Sequence, residues 1–419
     1  MKTVFKVFVF LCVFTSVSFA QTFMNITSEP SDSFNAVLVE KAGKWMHVLK
    51  ISEGSTEVLQ TIKVLTGGVD GDKLVRGDEK TPEGLYFVTG FISPGKLKGM
   101  YGPEVSKQYG TGAFPLSYPN LKDRLAGKTG GGIWLHGVSD ERSEVVTKGC
   151  VAMENDKFSM LSDYVSIGTP VVITDEGMQG AVEQIREHFS SIKKIVADYI
   201  TAWEKNDFDS FKNFYHTGFK SLGGRSFVNY LAYKKSLMDF FPYRKVYADN
   251  YRIFSQSETA AVAEFDQYYC APNVYSYGKK RFYLESELDG LKIMTEEFIP
   301  KDGTDFVRAK VNEFLISWKN GWESRQIDDY ISFYSDKFRT RGMNKAAWKT
   351  DKAGKFEILN ELKVVIEDIT FRAVSPVSYS IEFRQKYTGN AYKDIGIKIL
   401  KLEGCPGDFK ILSENWRAE

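Results

Sequence analysis

The C-terminal half of this 419-residue chain is written twice. Glu264-Phe265-Asp266-Gln267 returns as Glu382-Phe383-Arg384-Gln385, and Lys292-Ile293-Met294-Thr295-Glu296 returns as Lys410-Ile411-Leu412-Ser413-Glu414, both 118 positions on. Upstream, Trp203, Phe214-Tyr215 and Phe219 align with Trp318, Phe333-Tyr334 and Phe338 at offsets of 115 and 119, so small gaps separate the early and late parts. A repeat of this length calls for two copies of one folding unit, each with its own core. The first copy opens with Val182, Ile185, Phe189, Ile192, Val196, Tyr199 and Trp203, whose steps of three and four place them on one face of a long helix. A short Phe-Tyr helix and several strands complete each copy.

Before Asp175-Glu176-Gly177 the period changes to two. Ala36 to Val39, Trp45 to Ile51 and Val58 to Leu65 read as strands, with turns at Ala42-Gly43 and Glu53-Gly54. Glu83 to Phe91, Ile133 to Leu135 and Thr169 to Thr174 add further strands, and Asn155 to Val165 is expected as the one clear helix. The chain is too long for a single core. The expectation is therefore a multidomain protein: a mainly-β domain over 34–175, then tandem cone-shaped α+β modules over 181–300 and 304–419. The repeated unit resembles the nuclear transport factor two-like (SnoaL-like) superfamily, which hosts both enzymes and non-catalytic pockets, so fold alone assigns it no activity.

Lys and Arg number 55 against 54 Asp and Glu. A net charge of +1 gives no electrostatic reason to expect nucleic acid or an anionic membrane surface as partner. Met1 to Ala20 reads as a secretory signal, with Lys2 and Lys6 preceding the apolar Val7 to Phe14 and small residues in Ser18-Phe19-Ala20. Cleavage is expected before Gln21. The apolar run is short of the roughly 20 residues a membrane span needs, and no later segment qualifies. Three cysteines then remain, Cys150, Cys270 and Cys405. An odd count leaves at least one thiol, assigned to Cys150, while Cys270 and Cys405 are expected as separate buried thiols, pairing being the alternative.

The chemistry concentrates at His136-Gly137 and Thr147-Lys148-Gly149-Cys150, with Cys150 fourteen positions after His136. A thiol attacks a carbonyl as its thiolate and needs a base to make it. His136 can be that base, with the Gly137 carbonyl fixing its tautomer. Gly149 leaves the turn unobstructed, so N–H groups around Lys148, Gly149 and Cys150 could face an oxyanion. Lys148 adds positive potential. His47 sits in an alternating strand, His188 on a helix's polar side and His216 beside aromatic residues, none with ligand spacing, so no metal and no cofactor are expected.

Ile133-Trp134-Leu135-His136-Gly137 followed by Thr147-Lys148-Gly149-Cys150-Val151-Ala152-Met153 resembles the signature of the YkuD-type L,D-transpeptidases. Gly77-Asp78-Glu79-Lys80-Thr81-Pro82-Glu83-Gly84-Leu85-Tyr86 and Ala113-Phe114-Pro115-Leu116-Ser117-Tyr118-Pro119-Asn120 are similar to further segments of that family, in the family's order. Two departures stand out: Lys148 where many members have a second histidine, and Ala152 where many have an arginine. The branch that trims peptidoglycan stems is similar in lacking that arginine. The resemblance implies an exported, periplasmic enzyme in which Cys150 attacks the stem tetrapeptide at the L-centre of residue three and D-alanine leaves. Transfer to water would make it an L,D-carboxypeptidase, and transfer to an amine would cross-link. Thr147, Tyr118 and Asn120 are further substrate-side candidates, the last two equally readable as packing residues. Alternatives are a catalytically decayed wall-binding protein, or recruitment of wall-remodelling proteins through the C-terminal modules.

Overall fold

The computed structural model describes residues 22–29, 31–52, 55–138, 146–390 and 392–419. The expected leader Met1 to Ala20 and the Glu53-Gly54 turn lie outside the described residues.

The N-terminal domain is built on a five-stranded sheet ordered Ser55–Lys63, Trp45–Ser52, Ser33–Glu40, Pro170–Thr174, Gly84–Phe87. Only Ser33–Glu40 and Pro170–Thr174 run parallel in it. Its central strands are apolar on both sides because both sides are covered. Val37, Val39, Met46, Val48, Val171 and Ile173 point into the domain's own core. Ala36, Leu38, Leu49, Ile51, Leu85 and Val172 point the other way, into a second apolar layer. A smaller sheet of Ala113–Pro115, Trp134–Val138 and Val151–Glu154 carries the cysteine-histidine segment.

Asn155–Leu161 is helical, and so are Leu121–Leu125 and Pro94–Ser106, which corrects the expectation of a single helix. Asn120 caps the former by accepting the Asp123 N–H at 2.9 Å. The latter is kinked at Gly102-Pro103, and its glycines and proline disguise it as a loop in the sequence.

Both repeats form a long helix, two shorter helices and a curved four-stranded antiparallel sheet. The long helices are Val182–Glu204 and Thr304–Glu323. Bulges after Asp249 and Glu367, with left-handed Asn250 and Asp368 beside them, fall 118 positions apart. The pairing of Trp203 with Trp318 needs correction. Glu204 and Glu323 each accept the N–H of a residue near the start of the first long strand, Val246 and Val364, which makes Trp322 the counterpart of Trp203 and Trp318 that of Tyr199. The offset is 119 through the first two helices of each copy and 118 at the third, where Lys352 answers to Lys234, and the pairing of Trp203 with Trp318 slipped because two tryptophans compete four residues apart.

The two sheets differ in what their outer faces meet. Phe254, Val262 and Tyr283 of the first are buried against the second apolar layer of the N-terminal domain, and Arg281 lies 4.2 Å over the Phe87 ring. The strand Ile26–Ser28 extends that same sheet by pairing with Arg252 to Phe254. In the second module the corresponding residues are Arg372, Ser380 and Lys401, none of them buried. Polarity at three positions explains why one copy docks on the N-terminal domain and the other does not.

The second module is tied to the first instead. Cys270, at the end of Ala260–Ala271, forms a disulfide with Cys405 in the turn after Tyr392–Glu403, overturning the expectation of separate thiols. The cysteines occupy non-equivalent positions in the two copies, so the repeat gave no hint of their meeting. Packing brings them together: Tyr268 stacks on Phe306 at 4.5 Å, and the Tyr243 hydroxyl donates to Asp408 Oδ2 at 3.1 Å.

Replacing Phe254 by Arg, the residue at the equivalent place in the second module, should cost about 3 kcal/mol or more, by lost burial and an unpaired buried charge. Hydrogen exchange should then speed up in both Ser33–Glu40 and Lys245–Ser257. Arg372→Phe, on the exposed face, should change stability by less than about 0.5 kcal/mol.

Candidate active site

Trp134–Val138 and Val151–Glu154 pair in parallel, with Leu135 opposite Val151 and His136 opposite Ala152. Continuing the register by one residue sets Cys150 opposite Trp134. Side chains at paired positions share a face, so His136, Trp134 and Cys150 project to the same side of this sheet. The connection over 139–145 lies outside the described residues.

His136 is buried at 3% exposure, while Cys150 is half-buried. His136 Nδ1 lies 2.6 Å from the Gly137 carbonyl. A carbonyl only accepts, so Nδ1 carries the hydrogen and Nε2 is the basic nitrogen of the neutral ring. The Cys150 thiol donates to the Gly132 carbonyl at 3.4 Å and packs on a cluster of Ile92, Leu97, Ala113, Trp134 and Tyr109. Tyr109 stands edge-on to the His136 ring at 5.1 Å and also meets Trp134 at 5.1 Å. Tyr101 extends this aromatic wall. Sequence reasoning missed the wall because the kinked helix that carries Tyr101 was not recognised.

The cysteine turn is held from within. Thr147 Oγ1 donates to the Cys150 carbonyl at 2.6 Å and accepts the Gly149 N–H at 3.0 Å. The Gly149 N–H is thus committed inside the turn, which removes it from the oxyanion donors expected from the sequence. Gly149 has φ of 118°, and a Cβ there would come 2.7 Å from the Lys80 carbonyl, so only glycine fits. Lys148 is exposed. Ala152 is fully buried and exchanges both backbone hydrogen bonds with Leu65, so this position offers no cation.

The loop against Gly149 is organised by Asp78. It accepts the N–H groups of Leu74, Val75 and Lys80 and pairs with the buried Lys73 ammonium at 2.5 Å. Burial pushes its carboxyl up, but Lys73 and the amides outweigh it and hold the group below the usual carboxylate range. Tyr118 and Asn120 are engaged elsewhere, Tyr118 donating to the Thr129 carbonyl at 3.2 Å and Asn120 capping its helix while donating to the Leu85 carbonyl.

The other histidines have structural partners: His47 with Glu40 at 2.7 Å, His188 with the Ser255 hydroxyl at 2.7 Å, and His216 accepting the Gly218 N–H at 2.9 Å. The second module holds a cavity of about 460 Å³ lined by Trp322, Trp348, Lys352, Gln385, Lys398 and Glu414. Burial there, opposed by Glu414, pushes Lys352 down to about 8.

Two protein families match successive parts of the chain. The L,D-transpeptidase catalytic domain of the YkuD family matches residues 36–173, and the Cds6 C-terminal NTF2-like domain matches twice, over 191–297 and 310–415. The chain carries a YkuD-type L,D-transpeptidase catalytic domain over its N-terminal third and, by more than half of its length, belongs to the family of the Cds6 C-terminal NTF2-like domain. YqjB of Bacillus subtilis (strain 168), a protein assigned to the L,D-transpeptidases, is 32% identical over 120 residues, covering 28% of this chain and 64% of its own length. Two solved structures extend the likeness further along the chain. Bd1075 of Bdellovibrio bacteriovorus is 27% identical, with a TM-score of 0.58, covering 68% of this chain and 99% of its own. Pgp2 of Campylobacter jejuni, a helical cell shape determining protein, is 27% identical with a TM-score of 0.56, covering 66% of this chain and 95% of its own. About a third of this chain lies outside each of the two matches, a length close to that of one cone module. No described helix is long and apolar enough to cross a membrane.

Because the Asp78 carboxyl titrates lower folded than unfolded, its stabilisation is present above the ordinary carboxylate range and is lost only as the pH falls below it. Asp78→Ala should leave Lys73 buried without its carboxylate, costing about 3 kcal/mol locally. Faster hydrogen exchange across residues 73–80 at pH 7, approaching the wild-type rate at strongly acidic pH, is the expected readout.

Proposed function

We propose that the chain is an exported peptidoglycan L,D-carboxypeptidase acting through a Cys150–His136 pair, with residues 34–175 as the catalytic unit. The observation that carries the reading is the 2.6 Å contact of His136 Nδ1 with the Gly137 carbonyl, on a strand whose parallel neighbour presents Cys150 to the same face. The substrate is a stem tetrapeptide. His136 Nε2 takes the thiol proton, and the thiolate adds to the carbonyl at the L-centre of residue three. Backbone N–H groups of the cysteine turn other than that of Gly149 hold the oxyanion. The tetrahedral species collapses as the imidazolium returns its proton to the departing amine of D-alanine, leaving a thioester on Cys150. Water, deprotonated by the same imidazole, then hydrolyses the thioester to a tripeptide.

Water is favoured over an amine acceptor because Ala152 leaves no cation where many family members place an arginine. The likeness to a cell-shape determinant agrees with trimming, which alters wall geometry without adding cross-links. The C-terminal modules, in this reading, engage the wall or its remodelling proteins.

Incubating the chain from residue 21 with disaccharide-tetrapeptide should yield tripeptide and D-alanine by mass spectrometry, whereas dimers would redirect the assignment to cross-linking. His136→Ala should slow product formation about 10²- to 10⁴-fold. Cys150→Ala should abolish it, together with the mass increase produced by a carbapenem. A protein that gives neither product nor adduct is the decayed wall-binding form.

A further inference from the structure

Asn155 takes no step in the reaction above, yet its side chain lies where the two halves of the site meet. It opens the helix Asn155–Leu161, five residues beyond Cys150 on one continuous run of chain. Its Oδ1 accepts the Thr111 N–H at 2.9 Å and stands 3.4 Å from the Thr111 hydroxyl. A Cβ on Gly137 would fall 2.5 Å from this oxygen and one on Gly110 only 2.0 Å from it, so Oδ1 occupies the space both glycines leave empty. Gly137 also donates its N–H to the Gly112 carbonyl at 3.2 Å. The segment over residues 107–112 is thereby fastened to the strand Trp134–Val138 at the residue whose carbonyl receives His136 Nδ1.

Two groups that orient the imidazole depend on this fastening. One is the Gly137 carbonyl itself, and the other is the Tyr109 ring standing edge-on to His136. We propose that Asn155 is a positioning residue that sets the His136 ring by latching Gly110-Thr111 onto Gly137, an assignment that rests on the cysteine–histidine reading above. The latch makes the orientation of the base depend on the run of chain that carries the nucleophile. Without Oδ1 the Thr111 N–H loses its acceptor and a void opens between the two glycines. The imidazole then gains orientations out of reach of the sulfur, and the thiolate fraction at neutral pH falls.

The test needs no peptidoglycan. Alkylation of Cys150 by iodoacetamide is followed by mass across pH 5 to 10 in the chain from residue 21, where Cys270 and Cys405 are paired. Four proteins are compared: wild type, His136→Ala, Asn155→Leu, which keeps bulk but loses the acceptor, and Asn155→Asp, which keeps the acceptor. Wild type should titrate below the ordinary thiol value of about 8.5 and His136→Ala near it. At pH 7, Asn155→Leu should react about tenfold more slowly than wild type, toward His136→Ala, while Asn155→Asp stays within about twofold of wild type. Circular dichroism verifies folding, and Asn155→Ser, with the same expectation, replaces Asn155→Leu if that variant does not fold. A wild-type profile identical to that of His136→Ala would overturn the cysteine–histidine reading. A profile that depends on His136 but not on Asn155 would overturn the latch alone.

Discussion

The pairing of Trp134–Val138 with Val151–Glu154 is the interaction from which the candidate chemistry descends. Parallel strands cannot be joined by a tight turn, so the segment between His136 and Cys150 must leave the sheet and return. On its return the register decides everything. A slip of one residue would send the Cys150 side chain to the opposite face from His136, and no loop adjustment could restore the pair. The contacts around these strands act to protect that register: Leu65 bonds both backbone groups of Ala152, Thr147 ties the turn to the Cys150 carbonyl, and Asn155 secures the segment above Gly137.

The duplicated C-terminal half shows how two copies of one unit take different places. Their shared interiors keep a buried carboxylate with two lysines: Glu296 with Lys280 and Lys234 in one, Glu414 with Lys398 and Lys352 in the other. Burial lowers Lys234 and Lys352 alike to about 8, so the polar centre of the cone is a property of the unit rather than of one copy. Exteriors diverge where partners differ. Phe254, Val262 and Tyr283 suit an apolar neighbour, whereas Arg372, Ser380 and Lys401 suit water.

Much of this was legible before any coordinates. The 118-residue offset announced two equal modules, and the His-Gly and Thr-Lys-Gly-Cys segments marked a candidate thiol and a candidate base, because both signals are carried by residue type at short range. What escaped depends on distant parts of the chain meeting. The disulfide joins positions 135 residues apart that the repeat does not relate, and the Asn155 contact is with backbone, which has no sequence signature. Tyr101 and Tyr109 were hidden because the helix ending at Ser106 contains Gly95, Gly99, Gly102 and Pro103, a composition that reads as loop. The commitment of the Gly149 N–H to Thr147 is equally invisible in a string of letters, since it follows from how a turn closes.

The covalent tie between Cys270 and Cys405 encloses the last stretch of the first module together with nearly all of the second. A protease that cuts one peptide bond anywhere from residue 271 to residue 404 therefore releases nothing. Both pieces stay attached through sulfur, and the fragment bearing the cavity beside Trp322 and Trp348 remains tethered to the domain that carries Cys150. A nick in this span is thus a break in the backbone without a break in the molecule.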